Sequence, residues 1–163
     1  MRLTIKTFGK HWDIYGENGR KVGKIKAIGK KELDILDTEG VQQFAVKKND
    51  DQLIVLAKET EILSCSLLRE TDAEGRPVQK TLLRPPMAQK LQFCTKRGPL
   101  TITQTPNRIF FFSLGEKSLG NITHMTRGKK EMELYSSQIS PCQCMILMAL
   151  SLFMFHDDDV VIV

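Results

Sequence analysis

Six basic residues carry the strongest chemical suggestion in this chain of 163 residues: Lys24, Lys26 and Lys47 in alternating stretches, and Arg127, Lys129 and Lys130 around a glycine. Ammonium and guanidinium groups gathered on one surface hold a phosphate or an anionic head group through charge-assisted hydrogen bonds. The competing reading is a solvated exterior, in which lysines on strands discourage edge-to-edge pairing. The net charge is +5, and the Lys and Arg are spread along the chain rather than packed into one run. Bulk charge therefore does not choose between the two.

Other reactive residue types fail on spacing. Cys142 and Cys144 stand two apart, which on a helix points them to different sides, and no His or second Cys pair lies at zinc spacing. His156 with Asp157, Asp158 and Asp159 offers oxygen ligands for a hard cation, against a solvated helix end as the plainer reading. His11 and His124 have no Ser or Cys partner that suggests a nucleophile with its base. Gly16, Gly19 and Gly23 do not fit the phosphate-cradling spacings. The expectation is a chain with no catalytic residues, no metal site and no cofactor.

The elements that must position these groups begin with the last apolar stretch, residues 145–155, in which only Ser151 is polar. A helix without a wet face must be enclosed, and this one is shorter than the roughly 20 residues that a bilayer needs. Ser140 as cap, Pro141 at the first helical position and Gln143 three residues after the cap make a capping box. The spacing predicts a helix from 141 to about 156, roughly 24 Å long. His156 suits its negative end, whereas Asp157, Asp158 and Asp159 oppose the dipole and suggest a stop.

Before the helix nearly everything reads as short strands and turns. Residues 2–8 and 11–15 alternate apolar with polar, and Asn18-Gly19 supplies a hairpin turn. Asp13-Ile14, Gly19 and Ile25 then recur as Asp34-Ile35, Gly40 and Val46, each 21 positions on, which is one strand–turn–strand unit used twice. The phase points Trp12, Ile14, Gly23, Ile25, Leu33, Ile35, Phe44 and Val46 inward, and Lys24, Lys26 and Lys47 outward. A fainter third copy is Glu74-Gly75-Arg76-Pro77-Val78, and Leu119-Gly120-Asn121-Ile122 hints at another.

Arg84-Pro85-Pro86 is the strongest breaker and the expected boundary between two halves of one barrel. Phe110-Phe111-Phe112 reads as a strand buried on both sides or at a junction, Arg127 to Lys130 as a loop, and residues 131–139 as the last strand. The sum is about a dozen strands and one apolar helix. The predicted fold is therefore mainly β (α+β): a closed antiparallel barrel of about twelve strands around a central hydrophobic C-terminal helix, over residues 1–163. A barrel of that size leaves an interior wider than its own side chains fill, and the helix is the plug.

This pattern resembles the tubby C-terminal superfamily and is most similar to its LURP-one-related group, with phospholipid scramblase-like proteins as further relatives. The residues that carry the likeness are Asp13-Ile14-Tyr15, Asn18-Gly19 and Val22-Gly23-Lys24-Ile25-Lys26, their repeat at Asp34-Ile35-Leu36, Glu39-Gly40 and Phe44-Ala45-Val46-Lys47-Lys48, and the apolar helix ending at Asp157. The resemblance implies the twelve-stranded barrel around a helix and points to phospholipid recognition. The Lys and Arg pair of the phosphoinositide readers has no match here, and the acidic segment lies after the helix, where the scramblase-like proteins have it before, so neither role is carried over.

Residues 1–6 alternate and lack the apolar core of a signal peptide, and the four cysteines have no Cys-x-x-Cys. Buried reduced thiols and a cytoplasmic location, peripheral at a membrane, are expected. The first functional reading is a non-enzymatic module for anionic phospholipid head groups or a membrane surface; the alternative is a protein-interaction scaffold with no lipid role. Nucleic acid is disfavoured, because the aromatic interleaving that stacks single-stranded bases is missing.

Overall fold

Period-two alternation becomes twelve strands in the computed structural model, which describes residues 1–78, 87–137 and 139–157. They are β1 (Arg2–Phe8), β2 (His11–Tyr15), β3 (Lys21–Ala27), β4 (Glu32–Leu36), β5 (Gln42–Asn49), β6 (Gln52–Ala57), β7 (Thr60–Arg69), β8 (Ala88–Thr95), β9 (Gly98–Gln104), β10 (Phe110–Leu114), β11 (Lys117–Thr123) and β12 (Lys129–Leu134), followed by the helix α1 (Pro141–His156). Each strand pairs antiparallel with its neighbours in sequence, and β12 pairs with β1 to close the barrel. The expected breaker Arg84-Pro85-Pro86, and Asp158, Asp159 and the Val160 to Val163 tail, lie outside the described residues.

The closed ladder follows from the faces that the sequence alternates. Leu3, Ile5, Ile14, Ile25, Ile35 and Val46 point inward and are buried, while Lys6, Asp13, Lys24, Asp34 and Glu131 take the outward positions between such residues. A wall charged outside and apolar inside is the reverse of a membrane-spanning barrel, whose outer band is apolar. Among the described residues no helix is long and apolar enough to cross a membrane.

The repeat extends to hydrogen bonds. In residues 16–20 the Gly16 N–H donates to Arg20 O and the Gly19 N–H to Gly16 O, and the same two bonds recur in 37–41, 72–76 and 105–109. The fourth residue of each turn has positive φ: Gly19, Gly40, Gly75 and, in the last, Arg108. The echo at Gly75 is thus a turn of the same kind, closed by a bridge between Thr71 and Pro77. The copy at 105–109 has no glycine to announce it. Thr105 Oγ1 braces it instead by accepting the Ile109 N–H at 3.2 Å.

Bulges recur as well. Ile14 faces Gly23 but Tyr15 faces Lys21, which leaves Val22 without a partner; Ile35 faces Phe44 but Leu36 faces Gln42, which leaves Gln43 out. These two bulges are one repeat apart. Similar shifts skip Ile62, Gln89 and Leu119. An extra residue on one strand bends it and increases its twist, and a wall must curve in this way to close.

Inside runs α1, with the boundaries that the caps predict. Ser140 Oγ accepts the Gln143 N–H at 3.3 Å, and Gln143 Oε1 accepts the Ser140 N–H at 2.9 Å. Cys144, Met145 and everything from Leu147 to Met154 are buried, and the lone hydroxyl, Ser151 Oγ, donates to Leu147 O at 2.8 Å. At roughly 1.5–3 kcal/mol per large buried side chain, the plug is a principal source of core stability.

Three expectations are corrected. Phe110 and Phe112 are buried but Phe111 is 45% exposed, so this strand alternates like the others. The last strand is Lys129–Leu134 rather than 131–139, and it begins inside the expected loop. Not all thiols are in the core: Cys65 and Cys144 are buried, Cys142 is half-buried and Cys94 is exposed.

Candidate functional site

The six basic residues of the first reading do not form one patch. Lys24 on β3 stands between Asp13 and Leu36, and Lys26 between His11 and Asp34. Lys47 on β5 is opposite Glu32, with Nζ 3.5 Å from Oε1. Lys129 has its Nζ 3.6 Å from Glu131, and Arg127 is exposed in the turn before β12. Carboxylates interleave with the lysines across the strands, so the wall is alternately charged.

Lys130 belongs elsewhere. Lys130, Met132 and Leu134 share the buried face of β12, and Lys130 is only 4% exposed. Its Nζ donates to Thr7 Oγ1 and to Arg127 O, both at 2.8 Å, and no carboxylate among the described residues pairs with it. Burial holds its pKa below the ordinary lysine range. It pins the β11–β12 turn to the end of β1 and is removed from any external anion.

That end of the barrel, where α1 finishes, is sealed. Asp157, the C-cap residue, has a side chain only 3% exposed and is paired with both Lys48 and Arg69. Arg69 reaches on to Asp51, Nη2 to Oδ1 at 2.5 Å. Burial pushes the Asp157 carboxyl up, but the hydrogen bonds and charges of Arg69 and Lys48 outweigh it and hold the group below the usual range. Of the expected solvated helix end, His156 is exposed, whereas the Asp157 carboxylate is not. The His156 ring lies against Trp12 and Phe155, and the Arg108 guanidinium covers the Phe155 ring at 5.6 Å.

The opposite end holds a cavity of about 580 Å³, within the range of small-molecule sites. Its wall comes from β7 to β11, through Leu63, Phe93, Leu100, Leu114 and Leu119. Its floor is one face of the first turns of α1, because Gln143, Ile146 and Leu147 stand three and four residues apart. Lys96, Arg97 and Lys117 also line it, and no carboxylate among the described residues does.

Local bonds hold these cations at the mouth. Thr95 Oγ1 accepts the Arg97 N–H at 3.2 Å and donates to Gly98 O at 2.8 Å, which fixes the turn carrying Lys96 and Arg97. The Gly115 N–H donates to Pro99 O at 2.8 Å and ties the β10–β11 turn, with Lys117 beside it, to the same hairpin. No acidic residue occupies the first turn of α1, so the positive end of its dipole adds to the field there. The arrangement offers an apolar interior and an anion-attracting rim.

The gap has a counterpart across the barrel. The backbone of α1 runs closest to β3, β4 and β5. At Gly23 on β3 an added Cβ would stand 2.5 Å from Met145 Sδ and 2.8 Å from Leu36 O. Glycine there lets the helix lean onto this wall. β9, in the middle of the cavity wall, lies six strands away in the order of the barrel, on the far side.

No family model and no curated protein matches the chain. A solved structure of an Arabidopsis thaliana protein superposes with a TM-score of 0.48 at 9% identity, over 96% of this chain and 89% of the other.

Among the described residues, reactive groups do not converge at either end. Burial pushes the Cys65 thiol up to about 11 and the Cys144 thiol up to about 12, which keeps both protonated and poorly nucleophilic near neutrality. Among the described residues no group of three or more His, Cys, Asp or Glu is placed to hold a metal ion. Lys96, Arg97 and Lys117 were not legible as a site, because their neighbours come from five strands and a helix far apart in sequence. In one dimension Lys96-Arg97-Gly98-Pro99 is only a turn.

Proposed function

We propose that this chain is a non-enzymatic binding module of the tubby-like, LURP-one-related kind, which recognises anionic phospholipid at a cytoplasmic membrane face. The observation that carries the reading is the cavity mouth, where Lys96, Arg97 and Lys117 border an apolar space that no carboxylate among the described residues lines. Basic residues close to an anionic membrane surface contribute about 1 kcal/mol each. The six residues first singled out support it less, since carboxylates separate those on the wall and Lys130 is buried.

Co-sedimentation of the full chain with vesicles tests the reading. Pelleting with phosphatidylcholine–phosphatidylserine vesicles at low salt, absent with phosphatidylcholine alone and weakened by salt, is the expected result. Lys96→Gln with Lys117→Gln weakens binding by an order of magnitude or more, at about fivefold per charge. Lys24→Gln with Lys26→Gln changes it by less than about twofold, because neighbouring carboxylates screen that wall. Binding indifferent to anionic lipid, together with one stoichiometric protein partner in a pull-down, favours the scaffold instead.

A further inference from the structure

The cavity behind the basic rim opens to solvent, and Leu63, Leu100 and Ile146 on its lining are only half-buried. Apolar surface left to water in a concave site of that size is surface that the apolar part of a ligand can cover. Here the walls are held apart. The closed ladder fixes β7 to β11, and the contact of Met145 at Gly23 keeps α1 on the far side.

We infer that this cavity takes one acyl chain of an anionic phospholipid, with the tail against Phe93, Leu100, Ile146 and Leu147 and the phosphate at Lys96 and Lys117; the inference rests on the lipid reading above and adds the tail to it. Charge complementarity selects the head. Neither Lys96 nor Lys117 is ion-paired with a described residue, and the helix N-terminus repels a cation. Gln143 also lines the cavity, with an amide N–H2 that can donate to a phosphate oxygen, and the remaining lining is mostly apolar.

The closed wall argues for a tail over a peptide. A peptide strand brings N–H and C=O groups that must be paired on burial, and it finds those partners at an open sheet edge. This barrel has no such edge, since β1 and β12 pair with each other. An acyl chain brings no polar groups and needs only the apolar lining.

Alkyl phosphates of increasing length, kept below micelle-forming concentrations and titrated calorimetrically into the full chain, test this. Binding tightens roughly tenfold for every two methylenes added until the cavity is filled. Alkyl trimethylammonium salts of the same lengths bind at least about tenfold more weakly. Ile146→Trp intrudes on the space and weakens binding of the longer alkyl phosphates while anionic vesicles still pellet the protein; if that variant does not fold, the length series on the unaltered chain decides alone. Inorganic phosphate binding as tightly as decyl phosphate, or no alkyl phosphate binding while anionic vesicles pellet, overturns the acyl site and leaves the head-group reading standing. Failure of both the alkyl phosphates and the anionic vesicles overturns the two together.

Discussion

Gly23 and Met145 meet so closely that no side chain fits between them: a Cβ on Gly23 would lie 2.5 Å from the Met145 sulfur. The second copy of the repeat carries Phe44 at the matching position, so the glycine marks the place where the plug touches the wall. Gly23→Ala therefore costs about 1–3 kcal/mol by overpacking, read from urea denaturation midpoints. Measured against a Met145→Ala background, the cost of Gly23→Ala falls only in part, because Leu36 O is also 2.8 Å away and belongs to the backbone.

The helix as plug makes a second prediction. Leu150 is fully buried and Val41 is exposed in a turn. Leu150→Ala leaves a cavity and lowers stability by about 2–5 kcal/mol, whereas Val41→Ala stays within about 0.5 kcal/mol. Equal effects at the two positions would contradict an enclosed helix.

The cap is separable from the packing. Ser140→Ala removes the acceptor of the Gln143 N–H and costs about 1 kcal/mol. Ser140→Asp restores the acceptor and adds a charge that suits the helix N-terminus. A loss in the first variant and recovery in the second, by thermal melting, is expected.

Asp157 gives the sealed end a pH dependence. Its pKa is lower folded than its ordinary 3.8, so the folded state favours the carboxylate. The stabilisation is complete above the ordinary value and is lost as the pH falls from there through the lower folded value. Stability measured against pH should drop in that acid window. Asp157→Asn should flatten the drop and remove any effect of Lys48→Met; an unchanged acid limb would sink this assignment.

Local signals were the legible ones. Ser140, Pro141 and Gln143 specify the start of α1 within a few residues, and the alternation around Ile14 and Ile35 specifies the inward face, so both were readable. Lys130 was misread although its phase with Met132 and Leu134 was visible, because Arg127-Gly128-Lys129-Lys130 looks like a turn. The partners of Asp157 were hidden, since Lys48 and Arg69 lie 109 and 88 positions away. Bulges at Val22 and Gln43 left no mark, because any residue can be skipped. The cavity is the extreme case: its lining exists only once five strands curve around a helix that leans the other way.

Amide hydrogen exchange on the full chain, with and without phosphatidylserine-containing vesicles, tests the placement of the site most directly. Residues 147–154 should exchange most slowly in both states, as the enclosed core of the molecule. Vesicles should add protection at 95–98, 114–119 and 139–147, the turns and helix start around the cavity, and leave 24–26 and 47 unchanged. Protection appearing instead on the β3–β5 face, or fast exchange through the helix, would contradict the site or the barrel that positions it.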